Sequence, residues 1–332
     1  MGAHTLALDG LLQELGHETS LFAQSVHPDL RGRASDYRDQ EHRPAADILL
    51  YQVSTGSPVA GYLLDRPEPL VLNYHNLTPA HHFDPWEPTV GAELDSGRRQ
   101  MARLARRASA AVADSHFNGS ELTELGMTNV RVAPVLFDSP PPPAQRRTAD
   151  PPTLLFVGRI APNKAQEDVI NALALLRERR PGSRLVLVGG SSSHRYETAL
   201  RELAETVAPG GVEFAGSVDE QTLIDWYGRA DAFVCLSDHE GFCVPLVEAM
   251  AAGLPVVAFD AAAVGETAGS AGLLLYDKQP ATVVAAIERL LDDAELRTHL
   301  TTAGRARALD FSPERARAAH RAAFAAILQD LR

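Results

Sequence analysis

Two glutamates eight residues apart bracket the turn from a strand into a helix. The stretch Ser237-Asp238-His239-Glu240-Gly241-Phe242-Cys243-Val244-Pro245-Leu246-Val247-Glu248 reads as a loop presenting Glu240 and a glycine that lets the backbone turn. The helix that follows suits Pro245 in its first turn and carries Glu248 one turn inside. The amides of Phe242, Cys243 and Val244 stand at the helix start, where open N–H groups and the positive end of the helix dipole favour an anion. Two carboxylates would then flank an anion site. Taken alone, acids are favoured at any helix start, so a solvated pair remains an alternative here.

Cations follow the first strand of the same half. Gly158-Arg159 comes directly after it, and Lys164 lies five residues on. A diphosphate suits such a pair, with arginine as a two-pronged donor and lysine as a point charge. Singly, each would read as an ordinary surface charge. Combined with the glutamates they describe a site for a phosphorylated ligand with neighbouring hydroxyls. In the other half His75 ends the strand Leu70–Tyr74, a position from which a side chain meets ligand, although a lone histidine is as readily structural. His81, His82 and Asp84 fall in a proline-punctuated loop that explains them without a metal. Arg98, Arg99, Arg103, Arg106 and Arg107 share one helix. They read either as a solvated face or as contact with an anionic acceptor or lipid headgroups.

The elements that must hold these residues alternate, short apolar strands with amphipathic helices, which implies parallel sheets covered by helices. Before position 138 the expected strands are Thr19–Ala23, Asp47–Tyr51, Leu70–Tyr74, Ala110–Ala113 and Val130–Ala133. A helix is expected with Leu8, Leu11, Leu12 and Leu15 inward and Gly16 just past its end. Another spans Ala92–Ala108, and Asn118 with Glu121 resembles a capping box. After position 152 strands are expected at Thr153–Val157, Arg184–Val188, Val212–Ala215, Ala232–Leu236 and Pro255–Phe259, and Ser312–Leu331 reads as a helix. Between the halves, Asp138–Pro152 holds six prolines and reads as a semi-rigid linker. In doubly wound domains ligands bind at the carboxyl ends of the strands, where these residues fall. A helix opens the sequence where such a domain starts with a strand, so the N-terminal domain is expected to lack its first strand.

The 332 residues suit about two domains. A net charge of −12 speaks against a nucleic-acid binder. The two cysteines, Cys235 and Cys243, form neither a CxxC pair nor a disulfide framework, and with no long apolar run a cytoplasmic protein is expected. No GxG pair occurs among the 24 glycines, so the dinucleotide fingerprint is missing.

The segments FVGRIAPNK, LVLVGG, FAGSV, DAFVCLSDHEGFCVPLVEAMAAGLPVVA and GETAGSAGLLL resemble the nucleotide-sugar half of glycosyltransferase family 4, retaining enzymes of the GT-B fold. The match is looser in the N-terminal half, through GAHTLALDGLLQELGHE, NYHN and VADSHF. The resemblance implies two Rossmann-like domains facing across a cleft: residues 1–138 on the acceptor side, a linker at 139–152, a nucleotide-sugar domain at 153–311, and a C-terminal helix at 312–332 expected to pack back on the first domain. It implies that Arg159 and Lys164 hold the donor diphosphate and Glu248 the ribose hydroxyls. Glu240 would meet the transferred sugar, with Phe242, Cys243 and Val244 lending amides. Val218 would offer backbone groups to the base, and Gly2, in what looks like the remnant of a glycine loop, would approach the diphosphate. His75 would contact the sugar near the acceptor. The implied activity is metal-independent hexose transfer, with retention, from a UDP- or GDP-linked donor to a glycan, lipid-linked or small-molecule acceptor. It needs no cofactor or nucleic acid and leaves peripheral contact with the inner membrane surface open. A sugar-nucleotide epimerase of the same fold and a non-catalytic sugar-nucleotide-binding protein are the alternatives.

Overall fold

The protein is described from a computed structural model covering residues 2–39, 46–138, 140, 142–143 and 151–331; most of the expected linker lies outside these. In chain order the elements are α1 (Gly2–Glu14), β1 (Leu21–Ala23), β2 (Ala34–Asp36), β3 (Leu49–Val53), α2 (Pro58–Leu64), β4 (Leu70–Tyr74), α3 (Pro88–Arg107), β5 (Ala110–Ala113), α4 (His116–Glu124) and β6 (Val130–Val132). Then come β7 (Thr153–Val157), α5 (Gln166–Arg179), β8 (Arg184–Val188), α6 (His194–Val207), β9 (Val212–Gly216), α7 (Glu220–Arg229), β10 (Ala232–Cys235), α8 (Val244–Ala251), β11 (Val256–Phe259), α9 (Val264–Ala268), β12 (Gly272–Leu275), α10 (Pro280–Asp292), α11 (Ala294–Leu309) and α12 (Pro313–Asp330). They form two compact units: residues 1–80, 89–137 and 313–332, and residues 81–88 and 138–312.

In the first unit, β3-β4-β5-β6 make one parallel sheet in sequential order, and β1-β2 make a second parallel pair. Leu70, Leu72, Leu104 and Met101 pack one core. Leu8 and Leu11 of α1 join Val71, Val112, Phe324 and Ile327 in another, so α12 belongs to this unit. Gly16, at φ 87°, ends the first helix as its position suggested. Gly2, expected in a loop, is instead the first residue of α1, and a Cβ there would meet nothing within 4 Å. The expected cap at Asn118 is also corrected. Ser115 caps α4 by accepting from the Asn118 amide, which leaves Glu121 free to accept from Tyr74 Oη at 2.9 Å.

The second unit carries one six-stranded parallel sheet, β12-β11-β10-β7-β8-β9. Strand order runs one way from β7 through β8 and the other way through β10, so the neighbours β7 and β10 mark the topological switch point, the place at which sheets of this kind bind their ligands. Leu154, Phe156, Leu185, Leu187, Val234 and Leu236 form the core beneath. Ser193, Asp219 and Asp293 cap α6, α7 and α11. Gly189 takes φ 140°, and a Cβ there would run into the Gly158 carbonyl, so the ends of β7 and β8 approach closely only because a glycine is present. Residues 81–88, counted with the N-terminal half from sequence, group with this unit. Trp86 packs edge-on to Tyr196 at 5.1 Å, and Ser193 Oγ donates to Glu87 at 2.8 Å. Among the described residues no helix is long and apolar enough to cross a membrane.

His4, on α1, is almost fully buried. Its Nδ1 accepts the Leu136 amide proton at 2.9 Å. Burial, and then the nearby His75 and His320, push its pKa down to about 2. The folded chain therefore keeps His4 neutral at a pH where an unfolded histidine, near 6.5, takes a proton. Between those values the unfolded state binds more protons, so stability falls as pH falls, by about 1.4 kcal/mol per unit for each such group. His4→Asn, which retains an acceptor for Leu136, is expected to flatten the loss of melting temperature between pH 7 and pH 5. An unchanged slope would show that His4 is not the group being titrated.

Candidate active site

The loop after β7 and the loop after β10 are stitched together at the switch point. Asn163 Nδ2 donates to the His239 carbonyl at 3.1 Å, and the Asp238 amide returns a bond of 3.0 Å to the Asn163 carbonyl. Lys164 closes a single helical turn, Pro162–Lys164, and Ala165 at φ 49° redirects the chain into α5. Because Asn163 fixes the two loops in register, its neighbour Lys164 meets Glu240. Nζ lies 2.6 Å from each carboxylate oxygen, and the side chains are only 16% and 9% exposed. Burial by itself would pull the Lys164 ammonium down; the Glu240 carboxylate first, with the neighbouring Cys243 and Cys235 adding to it, holds it above the ordinary lysine value.

The Glu240 loop is pinned from further sides. The Glu240 carbonyl accepts from the Ala263 amide at 3.1 Å, and the Phe242 carbonyl accepts from Thr267 Oγ1 at 2.5 Å. Lys278 bridges Asp168 and Asp238, at 2.6 Å to each, tying the loop to α5. Cys243 takes φ 72° as the residue before α8, and Pro245 sits in that helix's first turn as expected. Thus Phe242, Cys243 and Val244 stand at a helix start held against the sheet.

Glu248, on α8, is half-buried and accepts from Tyr227 Oη at 2.8 Å. Burial raises its pKa above the ordinary glutamate value, and the Tyr227 hydrogen bond acts against that shift. Arg159 is exposed, its carbonyl held by Gln166 Nε2 at 2.9 Å, so its guanidinium is not part of the ion pair. Val218 lies half-buried in the turn between β9 and the Asp219 cap of α7.

His75 and Gly2 belong to the first unit. His75 directly follows β4, and Asp114 directly follows the neighbouring β5. His75 Nδ1 donates to Asp114 Oδ2 at 2.8 Å, and Nε2 lies 2.6 Å from Gln52 Oε1. Asn73 links Gln52 to His4. A histidine held between two oxygen acceptors at a strand end is oriented by both, whatever it meets beyond them.

Sequence reading missed Asn163, Tyr227, Lys278, Thr267 and Asp114. Asn163 carried one local signal, its place beside Lys164 in a strand-end loop. The others act through contacts with residues at least 21 positions away, which no spacing rule reports.

The family described as "Glycosyl transferases group 1" matches residues 142–307, and the chain belongs to it. D-inositol 3-phosphate glycosyltransferase of Jonesia denitrificans is 34% identical over 168 residues, covering 48% of this chain and 39% of that protein. Glycogen synthase of Mycobacterium tuberculosis is 30% identical over 197 residues, covering 57% and 47%. The matched part is therefore less than half of either relative. Among solved structures, sucrose-phosphate synthase from Thermosynechococcus elongatus superposes with a TM-score of 0.67 at 22% identity, covering 84% of this chain and 74% of that one. Anabaena HepE with UDP-glucose gives 0.59 at 21%, covering 73% and 67%. These likenesses, with the parallel α/β architecture of both units, establish the GT-B fold.

Tyr227→Phe removes the donor that favours ionised Glu248. The expected result is weaker binding of uridine or guanosine diphosphate, with the acidic midpoint of binding moved to higher pH, measured by calorimetry across pH 4.5–7.5. A uniform loss of affinity with no movement of the midpoint would separate Tyr227 from the Glu248 carboxylate.

Proposed function

We propose that the protein transfers a hexose from a nucleoside-diphosphate sugar to an acceptor hydroxyl, with retention of anomeric configuration and without a metal. The reading is carried by the Lys164–Glu240 pair at the switch point, on the helix-start loop whose helix also bears Glu248. Membership of the family supports it. The donor diphosphate would lie against the start of α8, between Lys164 and the exposed Arg159, with Glu248 on the ribose hydroxyls and the Val218 turn near the base.

As the bond from the sugar's anomeric carbon to the phosphate oxygen lengthens, positive charge grows on the ring and negative charge on the departing diphosphate. Lys164, Arg159 and the amides of Phe242–Val244 are placed to stabilise that negative charge before it forms. Two side-chain cations would do the work that a divalent ion does elsewhere. Glu240, fixed on Lys164 and by its own carbonyl, would orient the sugar hydroxyls. The acceptor oxygen would bond to the anomeric carbon on the face the phosphate leaves, its proton passing to the leaving phosphate oxygen. His75, held by Asp114 and Gln52, would meet the sugar near the acceptor.

The donor is proposed to be UDP- or GDP-linked. Relatives named D-inositol 3-phosphate glycosyltransferase and glycogen synthase differ in what they act on, so the acceptor class stays open among glycans, lipid-linked and small molecules. The cytoplasm, with peripheral contact at its membrane surface, is the proposed setting.

Incubation with UDP- and GDP-hexoses and candidate acceptors in the presence of a chelator is expected to give a glycoside with the donor's anomeric configuration, read by NMR. An inverted product, a requirement for added metal, or an epimerised donor formed without acceptor would overturn the reading. Glu240→Ala is expected to abolish transfer while nucleotide affinity stays within about three-fold, that is, within about 0.7 kcal/mol. Glu248→Ala is expected to weaken nucleotide binding strongly. The reverse pattern would exchange the two roles.

A further inference from the structure

The same loop holds two thiols whose side chains the proposed transfer does not use. Cys235 ends β10 and Cys243 precedes α8, and their sulfurs lie 4.0 Å apart, unbridged. Cys243 adopts the left-handed backbone where glycine is favoured, and that conformation brings its sulfur back over the strand end. A Glu240 carboxylate oxygen completes a buried triangle in which all three ligand atoms fall within 4.8 Å of one another. In a tetrahedral zinc site, with sulfur about 2.3 Å and oxygen about 2.0–2.2 Å from the metal, ligand atoms stand roughly 3.5–3.8 Å apart. The two sulfurs, at 4.0 Å, stand a few tenths of an ångström wider than that spacing, and the carboxylate oxygen lies no more than 4.8 Å from either.

We propose that Cys235, Cys243 and Glu240 bind a thiophilic divalent cation such as zinc, with the fourth position open to water. Thiolates select this class of ion over magnesium or calcium, which take oxygen ligands. Charge balances in the complex: two thiolates and a carboxylate carry −3, the cation +2, and Lys164, kept on the second Glu240 oxygen, +1. Lys164 then orients the ligating carboxylate, as outer-shell partners do at metal sites. Ser237 Oγ, 3.4 Å from the Cys235 sulfur, supplies a further outer contact. Uptake displaces the two thiol protons into solvent, with no change of oxidation state. Glu240 and Cys243 each retain 8% exposure while Cys235 retains 1%, so the ion enters from the loop side.

The ion is not a catalytic metal. It takes the carboxylate proposed above to orient the sugar, so metal and donor sugar exclude each other; this consequence rests on the proposed function, whereas metal uptake does not.

The test is titration of the full chain with Co²⁺ alone, in a phosphine reductant, with metal-free buffers. One cobalt per chain is expected, with sulfur-to-metal charge-transfer absorption that Zn²⁺ abolishes by replacement. Cys243→Ser and Cys235→Ser are each expected to weaken uptake at least about tenfold. Zinc is also expected to slow alkylation of both thiols in the wild-type chain, a measurement that needs no variant to fold. Cobalt held without a sulfur band, a band unchanged in Cys243→Ser, or thiols alkylated equally fast with and without zinc would each overturn the proposal. If uptake is found but zinc leaves transfer intact, the assignment of Glu240 to the sugar fails while the metal site stands.

Discussion

The buried contact between Lys164 and Glu240 is the constraint on which the rest of the donor-side structure depends. An ammonium or a carboxylate taken out of water alone costs several kcal/mol, and removing one member of such a pair typically costs about 3–5 kcal/mol. Each charge is therefore tolerable at 16% and 9% exposure only while the other is in place. That requirement fixes two loops at once. The loop after β7 must deliver Lys164 in a single helical turn, and the loop after β10 must bring Glu240 back over the sheet before α8 begins. Asn163 meets the requirement in the backbone, bonding to His239 and Asp238, while Lys278 and Thr267 hold the far side of the same loop. The ion pair adds less to net stability than its short distances suggest. What it imposes is position.

The same device recurs at two other polar side chains, Glu248 and His75. Glu248 is kept by one phenol, His75 by a carboxylate and an amide oxygen. In each case the partner comes from another strand or helix, so orientation is inherited from the packing of the sheet instead of from a flexible side chain. Loop residues in contact with ligand are expected to be mobile unless a scaffold restrains them. Here the restraint is a set of cross-links between strand ends, close to where parallel sheets put their ligands.

Much of this was legible in the sequence, and the reasons for the rest are physical. Apolar runs such as Thr153–Val157 and Arg184–Val188 mark their strands to the residue, because buried parallel strands must be apolar on both faces. The charged residues at strand ends are expected from sequence to lie near one another, and the fold brings Lys164 and Glu240 into contact. Local rules fail where two of them compete. Ser115 and Asn118 can both cap a helix, and the choice falls to Ser115 because Glu121 is drawn to Tyr74 and Arg98. Tertiary partners fail to show for a different reason. Tyr227 reads as one more apolar residue of an amphipathic helix until the fold sets its hydroxyl against Glu248. Residues 81–88 likewise carry no signal that Trp86 packs on Tyr196.

Lys164 does not stand free in solvent. It is already neutralised, so a diphosphate arriving beside it competes with a carboxylate for the same three N–H donors. The exchange has a consequence for selectivity. A diphosphate alone gains Lys164 at the expense of Glu240, which would be left partly unpaired in a poorly hydrated loop, and that loss opposes binding. A diphosphate bearing a sugar brings hydroxyl groups that can donate to the released carboxylate, replacing the bonds Lys164 withdraws. On the proposed function, the pair would favour the intact donor over the nucleotide left after transfer by roughly the value of the hydrogen bonds that hydroxyls can return to a charged acceptor, about 1.5–3 kcal/mol each. An uncharged residue at position 240 would lose that discrimination, because the competing acceptor would go together with the positioning it gives Lys164.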